Sequence, residues 1–292
     1  MDSLDSQLLR IALLRWFDIL GTVLVVGTIA SRQLVFIPTV KTIQNKIIRQ
    51  SLTEIEFKTG DRFIKIGLFY LFFLQLVTLI QTDFGLLEGA RLFLLLCMMC
   101  LSRIKLHGKN WILLGSGVFL CLTGSLSGHA LRGRHLLVLT DWLHYTAVAI
   151  WAGGLLPLRR IARAGRDLIE PAELSSFLAR LIEIFSAWAI VCVAAILMTG
   201  GFNAMIYLNW QNILEPTYGK VLIMKLFFVM LVLGVGGFSG FYLLPRFQET
   251  EDGNALKAVD LEKLFYKAIT IETTLVFTIF IFAAILTQTP LP

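Results

Sequence analysis

Read as apolar and polar positions, the chain is a series of long apolar runs cut by short polar stretches. Eight runs stand out, at about 11–37, 63–80, 86–102, 110–131, 138–158, 179–202, 220–243 and 268–288. Each is close to the roughly 20 residues needed to cross the hydrocarbon core of a bilayer. Lipid offers the backbone no hydrogen-bond partners, so such runs fold as helices. The pattern predicts an all-α, polytopic transmembrane bundle of about eight spans. Charge is concentrated between the runs, as in KTIQNKIIRQSLTEIEFKTGDR after the first and RFQETEDGNALKAVDLEKLFYK before the last. The second of these also suits a short amphipathic surface helix from Ala255 to Lys267. The opening MDSLDSQLLRIALLRW carries Asp2 and Asp5, lacks the basic start of a signal peptide and enters a long apolar segment, so it reads as a retained first helix.

Composition strengthens this reading. The 292 residues are 57% apolar and 16% charged, with a mean hydropathy of +0.76, against about 45–50% apolar and about 25% charged in soluble domains. A single integrated membrane domain is expected, with a three-helix region over 1–109 and a five-helix region over 110–292. Eighteen Lys and Arg residues fall in the stretches after spans 1, 3, 5 and 7 and six on the opposite side. Positive loops stay in the cytoplasm, so both termini are expected to face outward, into the periplasm. The net charge of +6 reflects this sorting, and no nucleic-acid partner is expected without a soluble basic domain to hold one.

The orientation gives meaning to a local cluster. Three of the four histidines, His129, His135 and His144, fall within sixteen residues at the outward side, while His107 stands alone in a basic loop. Asp141 and His144 are three apart and share a helical face. Imidazoles with a carboxylate suit Cu(II), Zn(II) or Ni(II), so His129, His144 and Asp141, with His135 nearby, are candidate metal ligands; equally, the three histidines can cap a helix, sit in a loop and bond a neighbouring helix. Cys97 and Cys100 in CMMC share a face and offer soft-metal ligands, yet Cys and Met also fill apolar helices. Asp18, Glu183 and Glu272 are acidic residues within spans; they can line an ion path, carry coupling protons, or pair with residues such as Arg180, Lys267 or Arg32. Met198 is a further candidate on such a path. No phosphate-cradling loop, HExxH or paired-cysteine zinc motif is present. Neither enzymatic chemistry nor an ATP-driven pump is expected of the chain itself.

The combination GHA (128–130), DWLH (141–144) and WAGGL (151–155) resembles the CopD/PcoD family of bacterial copper-resistance membrane proteins. FSAWAIVCVAAILMTGGFNA, PTYGKVLIMKL and IETTLVFTIFIFAAILTQTPLP look like that family's last three spans, so the resemblance covers about 110–292. It implies a multi-pass protein of the bacterial inner membrane that moves copper, as Cu(I) or Cu(II), beside a separate periplasmic carrier of the CopC type. By residue, it carries over His129 and His144 as copper ligands, while Tyr218, Gly219, Lys225 and Glu272 match motif positions without an assigned role; His135 matches none. The expectation is import of copper accepted at the outer face, passing through spans 4–7 toward Glu183 and Glu272. Two alternatives stand beside it: a haem-binding membrane cytochrome with His129 and His144 as axial ligands, and a copper-delivery factor for oxidase assembly.

Overall fold

The computed structural model describes residues 2–81, 85–126, 135–207, 217–249, 255–287 and 289. Among these are eight helices and no strand. Helix α1 runs Asp2–Ser31, turns π-helical over Arg32–Phe36 and ends as α-helix at Ile37–Val40. Then come α2 (Lys46–Gln81), α3 (Leu86–Arg103), α4 (Lys109–Leu126), α5 (His135–Leu168) and α6 (Pro171–Tyr207). Helix α7 is α-helical over Thr217–Phe238, π-helical over Ser239–Leu243 and α-helical over Leu244–Glu249. The last, α8, is Ala255–Leu286.

Each apolar run falls on its own helix, residues 127–131 of the fourth lying outside the described residues. The expected separate surface helix at 255–267 is corrected: those residues are the first part of α8. The reason is local, since the join at Lys267 and Ala268 has neither Pro nor Gly to break the helix. Six helices, α1, α2 and α5 to α8, are long and apolar enough to cross a membrane. The other two, α3 and α4, have 18 residues each, a length of about 27 Å. The chain is a multi-pass membrane protein.

Helix α1 is the hub, packing on α2, α4, α5 and α8 and burying more of itself than any other span. What lets α5 come so near is a pair of glycines. A Cβ on Gly27 of α1 would collide with the backbone of Gly153, and one on Gly153 with the carbonyl of Val23. The two backbones therefore touch, as small residues allow in membranes, where close packing replaces the hydrophobic effect as the force between helices. On its other face α5 continues the approach at Gly154, where a Cβ would lie 3.0 Å from the ring of Phe185 in α6. Threonines close their own hydrogen bonds within these helices, as Thr28 does by donating to the Leu24 carbonyl at 2.7 Å.

Charges occur at both ends of the bundle, in pairs. At the basic end, the wholly buried Arg32 donates to Asp61 of α2 at 2.6 Å, and its guanidinium lies 4.6 Å over the Phe57 ring. Glu56, also buried, accepts from Arg160 of α5 at 2.8 Å and lies 3.8 Å from Arg32 Nε. Lys109 Nζ, at the start of α4, is 3.8 Å from Asp61. At the other end, Asp18 of α1 pairs with Arg91 of α3 and lies 3.4 Å from Arg15, which donates to the Gly124 carbonyl of α4 at 2.7 Å. Helices α1 to α5 are thus clasped at the basic end by α1, α2, α4 and α5, and at the other by α1, α3 and α4.

Two outcomes follow for stability in detergent. Gly27→Ala forces the α1 and α5 backbones apart and is expected to cost about 1–3 kcal/mol, the usual range for overpacking, seen as a lower denaturation midpoint. Glu56→Ala leaves Arg32 and Arg160 facing each other across a buried space and is expected to cost about 3–5 kcal/mol. A midpoint unchanged by Glu56→Ala would show that the clasp carries no net stability.

Candidate functional site

The first turns of α5 face α4 on one side and α6 on the other. Trp142 anchors the first contact, its indole N–H donating to the Val118 carbonyl at 2.8 Å. On the α6 side two rungs form, one turn apart. Thr140 donates to Asn203 Oδ1 at 2.6 Å, and His144 Nδ1 lies 3.1 Å from Thr199 Oγ1 and 3.2 Å from the Ile196 carbonyl. The rungs are four residues apart on each helix because an antiparallel pair meets once per turn.

This second rung assigns the imidazole. The Thr199 hydroxyl donates its own hydrogen to the Ala195 carbonyl at 2.6 Å, so toward His144 it can only accept. The Ile196 carbonyl is likewise an acceptor. Nδ1 therefore carries the proton, and Nε2 presents a lone pair, the arrangement by which outer-shell partners prepare a histidine for a metal. Gly200 makes room for the ring: a Cβ there would lie 3.1 Å from His144 Cε1.

Two further ionisable residues belong to this end of the bundle. Asp141 lies beside Ser125 of α4 and interacts electrostatically with Arg15 and with Lys225 of α7. Lys225 in turn acts on both Asp141 and His144. The candidate site therefore combines His144 and Asp141 of α5 with Lys225 of α7, the imidazole being oriented by Thr199 of α6. A cation binding at Nε2 is attracted by Asp141 and repelled by Lys225.

Of the residues expected from sequence, Asp141 and His144 lie three apart in the first turns of α5, as their spacing required. His129 lies outside the described residues. His135 is exposed at the start of α5, nine residues from His144 and hence about half a helical revolution and about 13 Å away. Among the described residues, no three His, Cys, Asp or Glu side chains converge to hold a metal ion. Asp18 is engaged by Arg91 and Arg15. Glu183 is exposed and paired with Arg180 at 2.8 Å, one of the partners foreseen for it. Met198 is 75% exposed, on the outer side of α6 away from the Thr199 rung, and Cys97 and Cys100 are exposed on α3 while Met98 between them is buried. Glu272 is buried in α8, facing Gly236 of α7, and no contact joins it to His144. Reasoning from sequence missed Thr199 and Gly200 as the residues that orient His144. Their signal, the TGG in span 6, was legible only as a motif.

Residues 179–286 match the sequence model of the family described as copper resistance protein D. A curated relative, the copper transport protein CutJ of Bacillus subtilis (strain 168), is 29% identical over 144 residues, 48% of this chain and 25% of that protein. The matched stretch thus spans about a quarter of that relative's length. No solved structure matches. The family match contains Thr199, Gly200, Lys225 and Glu272, and begins after Asp141 and His144.

The assignment of the imidazole is open to a direct check. In metal-free protein with nitrogen-15 histidine and the other three histidines replaced by Gln, His144 should show a protonated Nδ1 and an unprotonated Nε2. The opposite tautomer in that spectrum would contradict the role given to Thr199.

Proposed function

We propose that this CopD-like chain carries copper across the bacterial inner membrane, accepting it at the periplasmic face for import. The observation that supports the reading is His144, whose Nε2 lone pair is freed by the bonds of Nδ1 to Thr199 and Ile196, with the Asp141 carboxylate one turn away. His144 is one ligand and Asp141 a second or the group that balances the ion's charge. His129, in the GHA motif, completes the set. Lys225 neutralises Asp141 while the site is empty and weakens the hold on the ion once it arrives, which suits a carrier that must release its cargo. Copper resistance protein D and CutJ are named for copper resistance and copper transport. The bilayer surrounds the helices, and a separate carrier of the CopC type delivers the ion. No chemical conversion is assigned to the chain.

Copper binding to purified protein and copper accumulation in a copper-sensitive host test this together. His144→Ala is expected to weaken binding beyond the about 10–100-fold typical of losing an outer-shell partner, and to reduce accumulation. Lys225→Met is expected to tighten binding about tenfold or more, since a unit charge within about 10 Å contributes at least about 1.5 kcal/mol at an effective dielectric near 20. Unchanged accumulation in the His144 variant overturns import through this site. A Soret band with a reducible alpha peak in the wild type would favour the electron-transfer reading instead.

A further inference from the structure

Four acidic residues near the ends of the bundle have basic partners: Asp18 with Arg91, Glu56 with Arg160, Asp61 with Arg32 and Glu183 with Arg180. Glu272 differs. It is 5% exposed in α8 and, among the described residues, no hydrogen bond or ion pair engages its carboxyl. Several ionisable groups on the elements packed against α8 have partners of their own, Arg32 of α1 with Asp61 and Asp18 of α1 with Arg91 among them. Asp141 and Lys225 act on each other, Arg160 on Glu56, and Arg180 on Glu183; on α8 itself Glu262 and Tyr266 interact with Arg166.

An unpaired carboxylate is costly in such surroundings, whereas a bound proton removes the charge. The backbone beside it also departs from a regular α-helix. Glu272 Oε1 faces Gly236, where a Cβ would stand 3.3 Å away, and the π-helical turn of α7 begins at Ser239, three residues on. Such turns interrupt the regular ladder and recur at functional sites. Through one residue, then, the closeness of α7 and α8 is linked to whether a carboxyl holds its proton.

We propose that Glu272 is a proton-carrying site that couples copper movement to proton movement. While α7 and α8 are closed on each other the group is a carboxylic acid. When they part and water enters, its O–H bond breaks, the proton passes to water and the carboxylate keeps the electron pair; reclosure requires a proton from water to re-form the bond. The coupling rests on the transport reading above, whereas the proton site itself does not.

The experiment uses the full chain, with Glu272→Gln as a neutral isostere that cannot release a proton and Glu272→Asp as the variant that keeps a carboxyl. Infrared spectra of metal-free protein at neutral pH should show a carboxylic-acid carbonyl band that Glu272→Gln loses and Glu272→Asp shifts. Identical wild-type and Glu272→Gln spectra in that region overturn the proton site. In proteoliposomes carrying copper-sensitive and pH-sensitive dyes, wild type should move protons with copper. Glu272→Gln should lose the proton flux, Glu272→Asp should retain part of it, and copper binding to purified Glu272→Gln should be unchanged. Equal proton flux in wild type and Glu272→Gln overturns the coupling. Wild type that moves no copper overturns both the transport reading and the coupling, and the infrared comparison still decides the proton site.

Discussion

The contact between Gly27 and Gly153 is the constraint on which the rest of the bundle depends. Because neither residue has a side chain, α1 and α5 meet backbone to backbone near their middles. Both helices also carry polar groups at both ends: α1 bears Asp18 at one and Arg32 at the other, and α5 bears Asp141 with His144 at one and Arg160 at the other. A close crossing fixes the relative rotation of the pair. That rotation decides at once which side chains meet at the histidine end and which meet in the clasp at the basic end. Pro157, inside α5 between the crossing and Arg160, removes one backbone donor from the helix, so the two halves of α5 are joined at a weakened turn.

The distribution of charge follows from the cost of burying it. Arg32 has no exposure at all, and it is tolerable there because Asp61, Glu56 and the face of Phe57 surround the guanidinium. The same logic holds at Asp18, which two arginines share. These pairs lock helices together and leave no charge for a mobile ion. Asp141, by contrast, faces a lysine on a different helix without a closed ion pair, in the neighbourhood of an imidazole whose outer nitrogen accepts. The paired acids are fasteners, whereas Asp141, like Glu272, has no closed ion pair among the described residues.

The CopD-like stretch acquires a physical meaning in this frame. Its Thr199 holds the His144 proton on Nδ1, its Gly200 makes room for the ring, and its Lys225 sets the charge opposite Asp141. Residues 179–286 therefore supply the surroundings of His144. The stretches that resemble the family before that boundary, DWLH and WAGGL, supply the imidazole and the glycine that brings α5 against α1.

The sequence alone determined the helices, because a run of apolar residues in lipid has one way to satisfy its backbone, and that requirement is local. It also put Asp141 and His144 on one helical face, since three residues are less than one turn. It could not find the partners that lie on other helices. Asp18 and Arg91 are 73 residues apart, Glu56 and Arg160 are 104, and His144 and Thr199 are 55. Periodicity assigns a residue to a face of its own helix, but not the neighbour that face meets. Nor did it show that Met198, Cys97 and Cys100 point outward, for a soft side chain in an apolar run reads the same whether it meets lipid or protein. Those choices were made by packing, through the glycine crossing and the pairing of buried charge, which act between segments distant in the chain and exist only once the helices are assembled.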